Sequence, residues 1–201
     1  MLLYNSAISG NCYKVRLLLA HLGIAYERRE LDVVDRSDRA DVLGDLNPDL
    51  RVPTLVLDDG RPIAESGAIL WYFGEGTRFV PEDRYDRAKV LQWMFFEQYS
   101  HEPAIAVARF LVAYSGEADR YASVIERKTK DGYRALDALE RHLAAAEGGF
   151  VVGRAMTVAD IALYAYTHVA HEGGFDLSGY PSIGSWLHRV AAEPGHVSIE
   201  A

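Results

Sequence analysis

The sequence contains one cysteine, Cys12, and no group of cysteine and histidine residues at the spacing of metal ligands. A single cysteine cannot form a disulfide within the chain, and structural zinc sites need several closely spaced thiol or imidazole ligands. We therefore expect neither a disulfide scaffold nor a bound metal. Such a composition is typical of a reducing compartment, so the sequence predicts a cytoplasmic protein in which Cys12 is a free thiol.

Positive charge and long apolar runs are also scarce. The 201 residues carry 21 Lys and Arg against 29 Asp and Glu, which gives a formal net charge of −8. Because phosphate binding needs clustered basic residues, this balance argues against nucleic acid or an anionic membrane as a partner. No apolar run approaches the roughly 20 residues of a membrane span. The N-terminal MLLYNSAISGN lacks the positive start and long apolar segment of a secretory signal, so we interpret it as a first strand.

The spacing of apolar residues divides the chain into two halves. Up to Gly76 short apolar runs alternate with amphipathic segments, which predicts the order strand, helix, strand, helix, strand, strand, helix. After GEGTRFVPED the strand-like alternation disappears, and the residues around this stretch are typical of a linker. The sequence therefore predicts domains over residues 1–76 and 85–201, joined by a linker over residues 77–84.

The second half has only helical patterns. Residues 85–114 and 117–146 are predicted as two long helices, with Pro103 expected to kink the first of them. The segment TVADIALYAYTHVA is almost entirely apolar and predicts a helix in the core. Thr157 and Asp160 stand three residues apart at its start, which is the spacing of a capping box.

The stretch SGNCYKVRLLLA places a hydroxyl, a carboxamide and the thiol in four residues, directly before a predicted helix. Ser9 and Asn11 are both residue types that cap helix N-termini, and both can also donate a hydrogen bond to an anion. Cys12 near a helix N-terminus could form a mixed disulfide as a monothiol, because this position lowers a thiol pKa. Its other interpretation is a small buried residue that fills space. The residues alone leave these alternatives open.

Three separate segments resemble those of the cytosolic glutathione S-transferases, in the branch with a serine or asparagine active-site segment. SGNCYKVRLLL is similar to the family's catalytic strand-to-helix segment, and NPDLRVPTLVLDDGRPIAESGAILWYF to its glutathione-binding segment. TVADIALYAY is similar to the capping box of its central buried helix. The resemblance implies an α/β thioredoxin-like N-terminal domain, an all-α C-terminal helical domain and a homodimer.

The resemblance also assigns residues to glutathione. It implies that Pro53 follows a cis peptide bond and that the backbone of Val52 pairs with the cysteinyl unit. It implies that Glu65 and Ser66 hold the γ-glutamyl group and that Arg51 reaches the glycyl carboxylate. Read without the resemblance, these residues are an edge-strand proline, an ordinary helix cap and a surface arginine.

One position departs from the family pattern: relatives often have glycine where Leu50 stands in NPDLRVP. The loop beside the glycyl end of glutathione, which includes Arg51, therefore differs from the family pattern. The segment over residues 36–46 is weakly patterned, and no glutathione contact is assigned to it.

The implied reaction is attack of the glutathione thiolate on an electrophilic small molecule, with Ser9 as the stabiliser of the thiolate and Asn11 as a helper or substitute. The resemblance places the electrophile site between the domains, with the candidates Ile8, His101, Phe110 and Tyr114. A glutathione-dependent isomerase, dehalogenase, peroxidase or disulfide reductase is an alternative in the same fold. A non-catalytic binding or regulatory protein is an alternative of another class, but it would not need to keep the glutathione residues together.

Overall fold

The computed structural model describes the whole chain, residues 1–201. It forms two compact units, one made of residues 1–75 with residues 194–201 and the other of residues 76–193. None of its helices combines the length and the apolar character that crossing a bilayer requires.

The first unit is a four-stranded sheet with helices on both faces. Its elements are β1 (Leu2–Asn5), α1 (Gly10–Leu22), β2 (Glu27–Glu30), α2 (Arg39–Leu43), β3 (Thr54–Val56), β4 (Pro62–Ala64) and α3 (Ser66–Gly74). The strand order is β2-β1-β3-β4, in which β1 runs parallel to β2 and antiparallel to β3. The order of elements matches the sequence prediction, and the thioredoxin-like fold is confirmed.

Successive side chains of β1 point to opposite faces of the sheet, so this unit has one apolar cluster on each face. Leu3 packs with Leu55 of β3, with α1 residues and with Ile69 of α3. Tyr4 faces the other way and packs with Leu43 of α2. The start of α1 and the start of α3 therefore lie on the same side of the sheet, next to the end of β1.

Residues 194–201 complete the first unit, whereas the sequence analysis assigned residues 85–201 to the second domain. Tyr13 of α1 donates from its hydroxyl to the carbonyl of Val197 at 2.7 Å. The buried Arg16 donates to the carbonyl of Ile199 at 2.5 Å. These bonds join buried polar groups of α1 to the main chain of the C-terminal segment, which is a physical reason for this segment to pack here.

The second unit is helical throughout. It contains α4 (Arg84–Phe96), α5 (Glu102–Arg109), α6 (Ala122–Ala145), α7 (Val158–Thr167) and α8 (Pro181–Ala191). A π-helical turn over Glu97–His101 joins α4 to α5, and a second one over Phe110–Tyr114 follows α5. Pro103 lies in the first turn of α5, directly after the first π-helical turn. The all-helical second half is confirmed.

Helix α7 lies in the core of this unit, and all ten of its residues are buried. Asp160 Oδ2 accepts from the backbone N–H and the hydroxyl of Thr157, at 2.8 and 2.9 Å. Its Oδ1 accepts from the backbone N–H of Val151 at 2.8 Å and from Nε1 of Trp186 at 2.9 Å. The buried helix and its capping box are both confirmed. The structure adds that Asp160 joins α7 to α8 through Trp186 and to the loop that precedes α7 through Val151.

Candidate active site

Ser9 ends the loop between β1 and α1. Its backbone is extended, with φ −77° and ψ 118°, and its Oγ accepts the N–H of Cys12 at 3.3 Å, so it is the N-cap of α1. A hydroxyl has one hydrogen to donate besides the lone pairs with which it accepts. The side chain is partly exposed. Capping the helix and donating to a thiolate are therefore compatible roles for this residue.

The carboxamide of Asn11 connects the start of α1 to the start of α3. Its Oδ1 accepts from Nζ of Lys14 at 2.7 Å and from Oγ of Ser66 at 3.3 Å. The segment predicted to stabilise a thiolate and the segment predicted to hold the γ-glutamyl group are therefore adjacent in the first unit.

Cys12 is fully buried, and its sulfur accepts the backbone N–H of Ser6 at 3.3 Å. Burial raises the pKa of this thiol to about 11, and its hydrogen bonds with Ser9 and Ser6 offset that rise only in part. A thiol with this pKa is protonated at neutral pH, and the thiol form is a poor nucleophile. The structure therefore favours the space-filling interpretation of Cys12 over monothiol redox chemistry.

The state of Cys12 gives a direct prediction. Because the thiol is buried and protonated, we expect the folded protein to react far more slowly with iodoacetamide at neutral pH than the denatured chain. Cys12→Ala should leave glutathione-dependent rates nearly unchanged and should destabilise the protein by about 1 to 2 kcal/mol through lost packing. Fast labelling of the native protein, or loss of activity toward disulfide substrates in Cys12→Ala, would restore the redox interpretation.

The loop before β3 is shaped by a buried asparagine that the sequence analysis did not single out. Asn47 Nδ2 donates to the carbonyl of Arg51 and to Oγ1 of Thr54, both at 3.1 Å, and Thr54 donates to the same carbonyl at 2.8 Å. The Val52–Pro53 peptide bond that follows is cis, as the resemblance implies. Val52 lies outside β3, so its main-chain groups are not used by the sheet. The dipeptide Asn-Pro in NPDLRVP is a turn signal that could have identified Asn47.

Two non-glycine residues of this region have left-handed backbones. Leu50 has φ 55° and Glu65 has φ 67°. A left-handed conformation costs a residue with a β-carbon about 1–2 kcal/mol, which explains why glycine suits the position of Leu50. Leu50 packs against the cluster around Tyr4, and this contact offsets part of that cost. Residues with strained backbones are enriched at functional sites. Glu65 is such a residue, and it directly precedes the helix end predicted to bind the γ-glutamyl group.

The start of α3 has the properties of a carboxylate site. Glu65 is its N-cap residue, but the Glu65 side chain makes no capping hydrogen bond, and the first turn holds no acidic residue. Backbone N–H groups at such an end attract anions. Ser66 is buried there and contacts Asn11. Arg51, in contrast, is 70% exposed and its Nε lies 2.7 Å from Asp49 Oδ2, so it would have to share that ion pair to bind a glycyl carboxylate.

The candidates for an electrophile site fall in both units. Ile8 is partly buried in the loop that ends at Ser9. His101 is fully buried in the second unit, and its Nε2 lies 2.9 Å from Oγ1 of Thr167. Because that hydroxyl donates to the carbonyl of Leu163 at 2.7 Å, Nε2 of His101 must carry the proton of this bond. The structure thus gives His101 an internal hydrogen-bonding role.

Phe110 and Tyr114 begin and end the second π-helical turn. The Tyr114 hydroxyl donates to Glu172 Oε2 at 2.8 Å and accepts from Arg109 at 2.8 Å. Arg109 also donates to Glu172 at 2.9 Å. The Tyr114 hydroxyl is therefore engaged within the second unit, while Phe110 keeps a partly exposed ring.

Two buried basic residues of α1 were also missed by the sequence analysis. Lys14 and Arg16 are only 1% and 2% exposed. Arg16 donates to Oδ1 of Asn5 at 2.8 Å and to the carbonyl of Ala7 at 3.2 Å, so it holds the loop that leads to Ser9. The helical spacing of Val15, Leu18 and Leu19 marks a core face but gives no signal that flanking charges are buried as well.

Comparisons with known proteins point to one family. The glutathione S-transferase N-terminal domain model matches residues 8–75, and the C-terminal domain model matches residues 107–197. The maleylacetoacetate isomerase of Dictyostelium discoideum is 29% identical over 90% of this chain and 84% of its own length. The disulfide-bond oxidoreductase YfcG of Escherichia coli is 26% identical over 92% of this chain and 87% of its own length.

A solved structure is more similar still. The crystal structure of a glutathione S-transferase from Pseudomonas fluorescens is 44% identical, with a TM-score of 0.95 over 100% of this chain and 98% of that chain. Both domain models, in the same order, and this likeness over the full length agree with the thioredoxin-like first unit and the helical second unit. The chain belongs to the glutathione S-transferase family.

Proposed function

We propose that this protein binds reduced glutathione in its first unit and catalyses attack of the glutathione sulfur on an electrophilic small molecule. The observation that carries the proposal is the contact of Asn11 Oδ1 with Ser66 Oγ at 3.3 Å. It brings a segment with thiolate donors next to a helix end suited to a carboxylate. Family membership supports glutathione as the co-substrate.

Binding follows from the chemistry of glutathione, which is a peptide with two carboxylates. The cysteinyl unit pairs with the main chain of Val52, which the cis bond at Pro53 presents outside the sheet. The γ-glutamyl carboxylate binds at the N-terminus of α3 beside Ser66, with Glu65 holding its ammonium. Arg51 shares its guanidinium between Asp49 and the glycyl carboxylate.

In the reaction, the thiol of glutathione loses its proton to solvent and the thiolate forms a bond to the electrophilic carbon, from which a leaving group departs or a ring opens. The thiolate is the reactive species, so the protein accelerates the reaction by stabilising it. Ser9 donates its hydroxyl hydrogen to the sulfur, and Asn11 donates from its amide. Ile8, in the loop that ends at Ser9, keeps a partly exposed apolar side chain and is proposed to contact an apolar electrophile.

A glutathione-dependent isomerase is the second candidate, because one relative is named maleylacetoacetate isomerase. Such a reaction uses the same thiolate, which adds to the substrate and leaves again without a lasting bond. A disulfide reductase is the third, because another relative is a disulfide-bond oxidoreductase. The buried Cys12 requires that this chemistry use the thiol of glutathione itself.

The proposal is tested by titrating the protein with glutathione in a calorimeter and assaying an activated aryl halide, an epoxide, a hydroperoxide, a mixed disulfide and a cis-olefinic diacid. We expect glutathione to bind, to raise the melting temperature, and to support conjugation of the halide or epoxide. Turnover of the diacid or the disulfide alone would replace conjugation by isomerisation or reduction. A protein that does not bind glutathione would contradict the proposal as a whole.

We further propose a cytoplasmic homodimer. Phe95 and Tyr99, on α4 and the π-helical turn after it, are 68% and 87% exposed, which is unusual for large aromatic side chains. Sedimentation of the same samples should give twice the monomer mass of 22.4 kDa.

A further inference from the structure

Lys14 is a buried cation on α1, and none of the steps of the proposed reaction uses it. It lies in the second turn of α1 with 1% of its surface exposed. Lysine is almost never fully buried unless its ammonium has partners, because removing the charge from water is costly. One of its partners is the carboxamide oxygen of Asn11, at 2.7 Å from Nζ.

This contact fixes which way the Asn11 amide faces. A carboxamide presents an acceptor oxygen on one edge and two N–H donors on the other. The oxygen of Asn11 takes hydrogens from the Lys14 ammonium and from the Ser66 hydroxyl, at 2.7 and 3.3 Å. With the amide turned over, its N–H groups would face an ammonium that has only donors. The ammonium therefore selects the orientation in which Nδ2 is directed away from both Lys14 and Ser66.

The same contact strengthens the amide as a donor. An ammonium on the carbonyl oxygen withdraws charge from the amide, and hydrogen bonds linked in this way reinforce each other in a low-dielectric surrounding. The hydroxyl of Ser66, at the start of α3, donates to the same oxygen and so favours the same orientation. We propose that Lys14 is a positioning residue, which orients and polarises the Asn11 carboxamide so that Nδ2 donates to the thiolate of bound glutathione. This inference rests on the proposed function of the first unit.

The test compares Lys14→Met with Lys14→Arg, because methionine keeps the aliphatic stem and arginine keeps the charge. Thiolate formation is read at pH 7 from the ultraviolet thiolate band of bound glutathione, at saturating ligand. Binding of S-methylglutathione, which has no thiol to ionise, is measured in parallel. We expect Lys14→Met to lower the thiolate fraction about three- to tenfold, Lys14→Arg to recover most of it, and both variants to bind S-methylglutathione like the intact protein.

Two further variants separate positioning from a direct effect of the charge. In an Asn11→Ala background, Lys14→Met should lower the thiolate fraction no further, and an equal fall there would overturn the inference. Asn11→Asp keeps the shape of the side chain and the contact with Lys14 but has no N–H to donate. It therefore tests donation by Nδ2 even if Lys14→Met does not fold, and we expect it to lower the thiolate fraction. A thiolate fraction in Asn11→Asp equal to that of the intact protein would also overturn the inference.

Failure of this inference and failure of the proposed function give different results. An intact protein that binds S-methylglutathione, together with a Lys14→Met variant whose thiolate fraction is unchanged, contradicts only the role of Lys14. An intact protein that does not bind S-methylglutathione contradicts the proposed function, and the role of Lys14 with it.

Discussion

Replacing Ser9 with alanine should lower the rate of glutathione conjugation at pH 7 by on the order of twentyfold. A free thiol with a pKa near 8.5 is only about 3% ionised at pH 7. A hydrogen bond to a charged group contributes about 1.5–3 kcal/mol, which lowers a thiol pKa by about one to two units, and the N-terminus of α1 adds about 0.3–1 kcal/mol in the same direction. The ionised fraction then reaches roughly 75%, and Ser9→Ala returns most of it to the thiol form.

The measurement is the pH dependence of the conjugation rate, which should move to higher pH in Ser9→Ala, with the largest loss near neutral pH. Asn11→Ala should give a smaller move of the same sign. Ser9→Thr is the matched control, because threonine keeps both the hydroxyl donor and the capping oxygen that Cys12 N–H uses. If Ser9→Ala kept the profile of the intact protein while Asn11→Ala lost activity, Asn11 would be the principal donor.

Replacing Asp160 with alanine should destabilise the protein by about 3–5 kcal/mol, because several buried hydrogen-bond donors lose their acceptor. The carboxylate is fully buried and accepts four hydrogen bonds, from Val151, from Thr157 twice and from Trp186. Alanine would leave all four donors buried without their acceptor, and each such group costs about 1–3 kcal/mol before the structure relaxes. Urea unfolding followed by circular dichroism measures the loss as a lower midpoint.

Thr157→Ala is the matched control, because it removes one hydroxyl and keeps the carboxylate with its other three donors. We expect it to cost only about 0.5–2 kcal/mol. In both variants the activity per folded molecule should persist, since α7 is a structural element of the second unit. An Asp160→Ala variant with the urea midpoint of the intact protein, or one that is stable but inactive, would show that this assignment is wrong.

Local patterns predicted the parts of the fold that depend on local chemistry. The apolar run of α7 has Thr157 and Asp160 at capping spacing, so both its burial and its start were visible in the sequence. The order of strands and helices up to Gly76 follows from short apolar runs separated by turn residues. The cis bond before Pro53 came from the resemblance, since an X-Pro bond alone does not determine its isomer.

Other features depend on contacts between residues far apart in the chain. Strand β2 has four charged residues, all of them exposed, and it forms because its backbone pairs with β1 and not because its side chains need burial. Lys14 and Arg16 look like solvated residues of an amphipathic helix, and only their partners Asn11, Asn5 and Ile199 show why they are inside. Helical spacing likewise did not reveal the two π-helical turns, because each is a single turn next to an α-helix and has no sequence pattern of its own.

The packing of residues 194–201 into the first unit has a consequence for synthesis on the ribosome. Domains usually fold in the order in which they emerge, the N-terminal one first. Here the segment whose carbonyls receive Arg16 and Tyr13 is synthesised only after the entire second unit. Until then the nascent first unit keeps an arginine and a tyrosine without these acceptors, so its glutathione site should reach its final shape after translation has passed residue 199. A chaperone that binds exposed α1 surface would therefore find that surface uncovered from the emergence of α1 until residues 194–201 have left the ribosome.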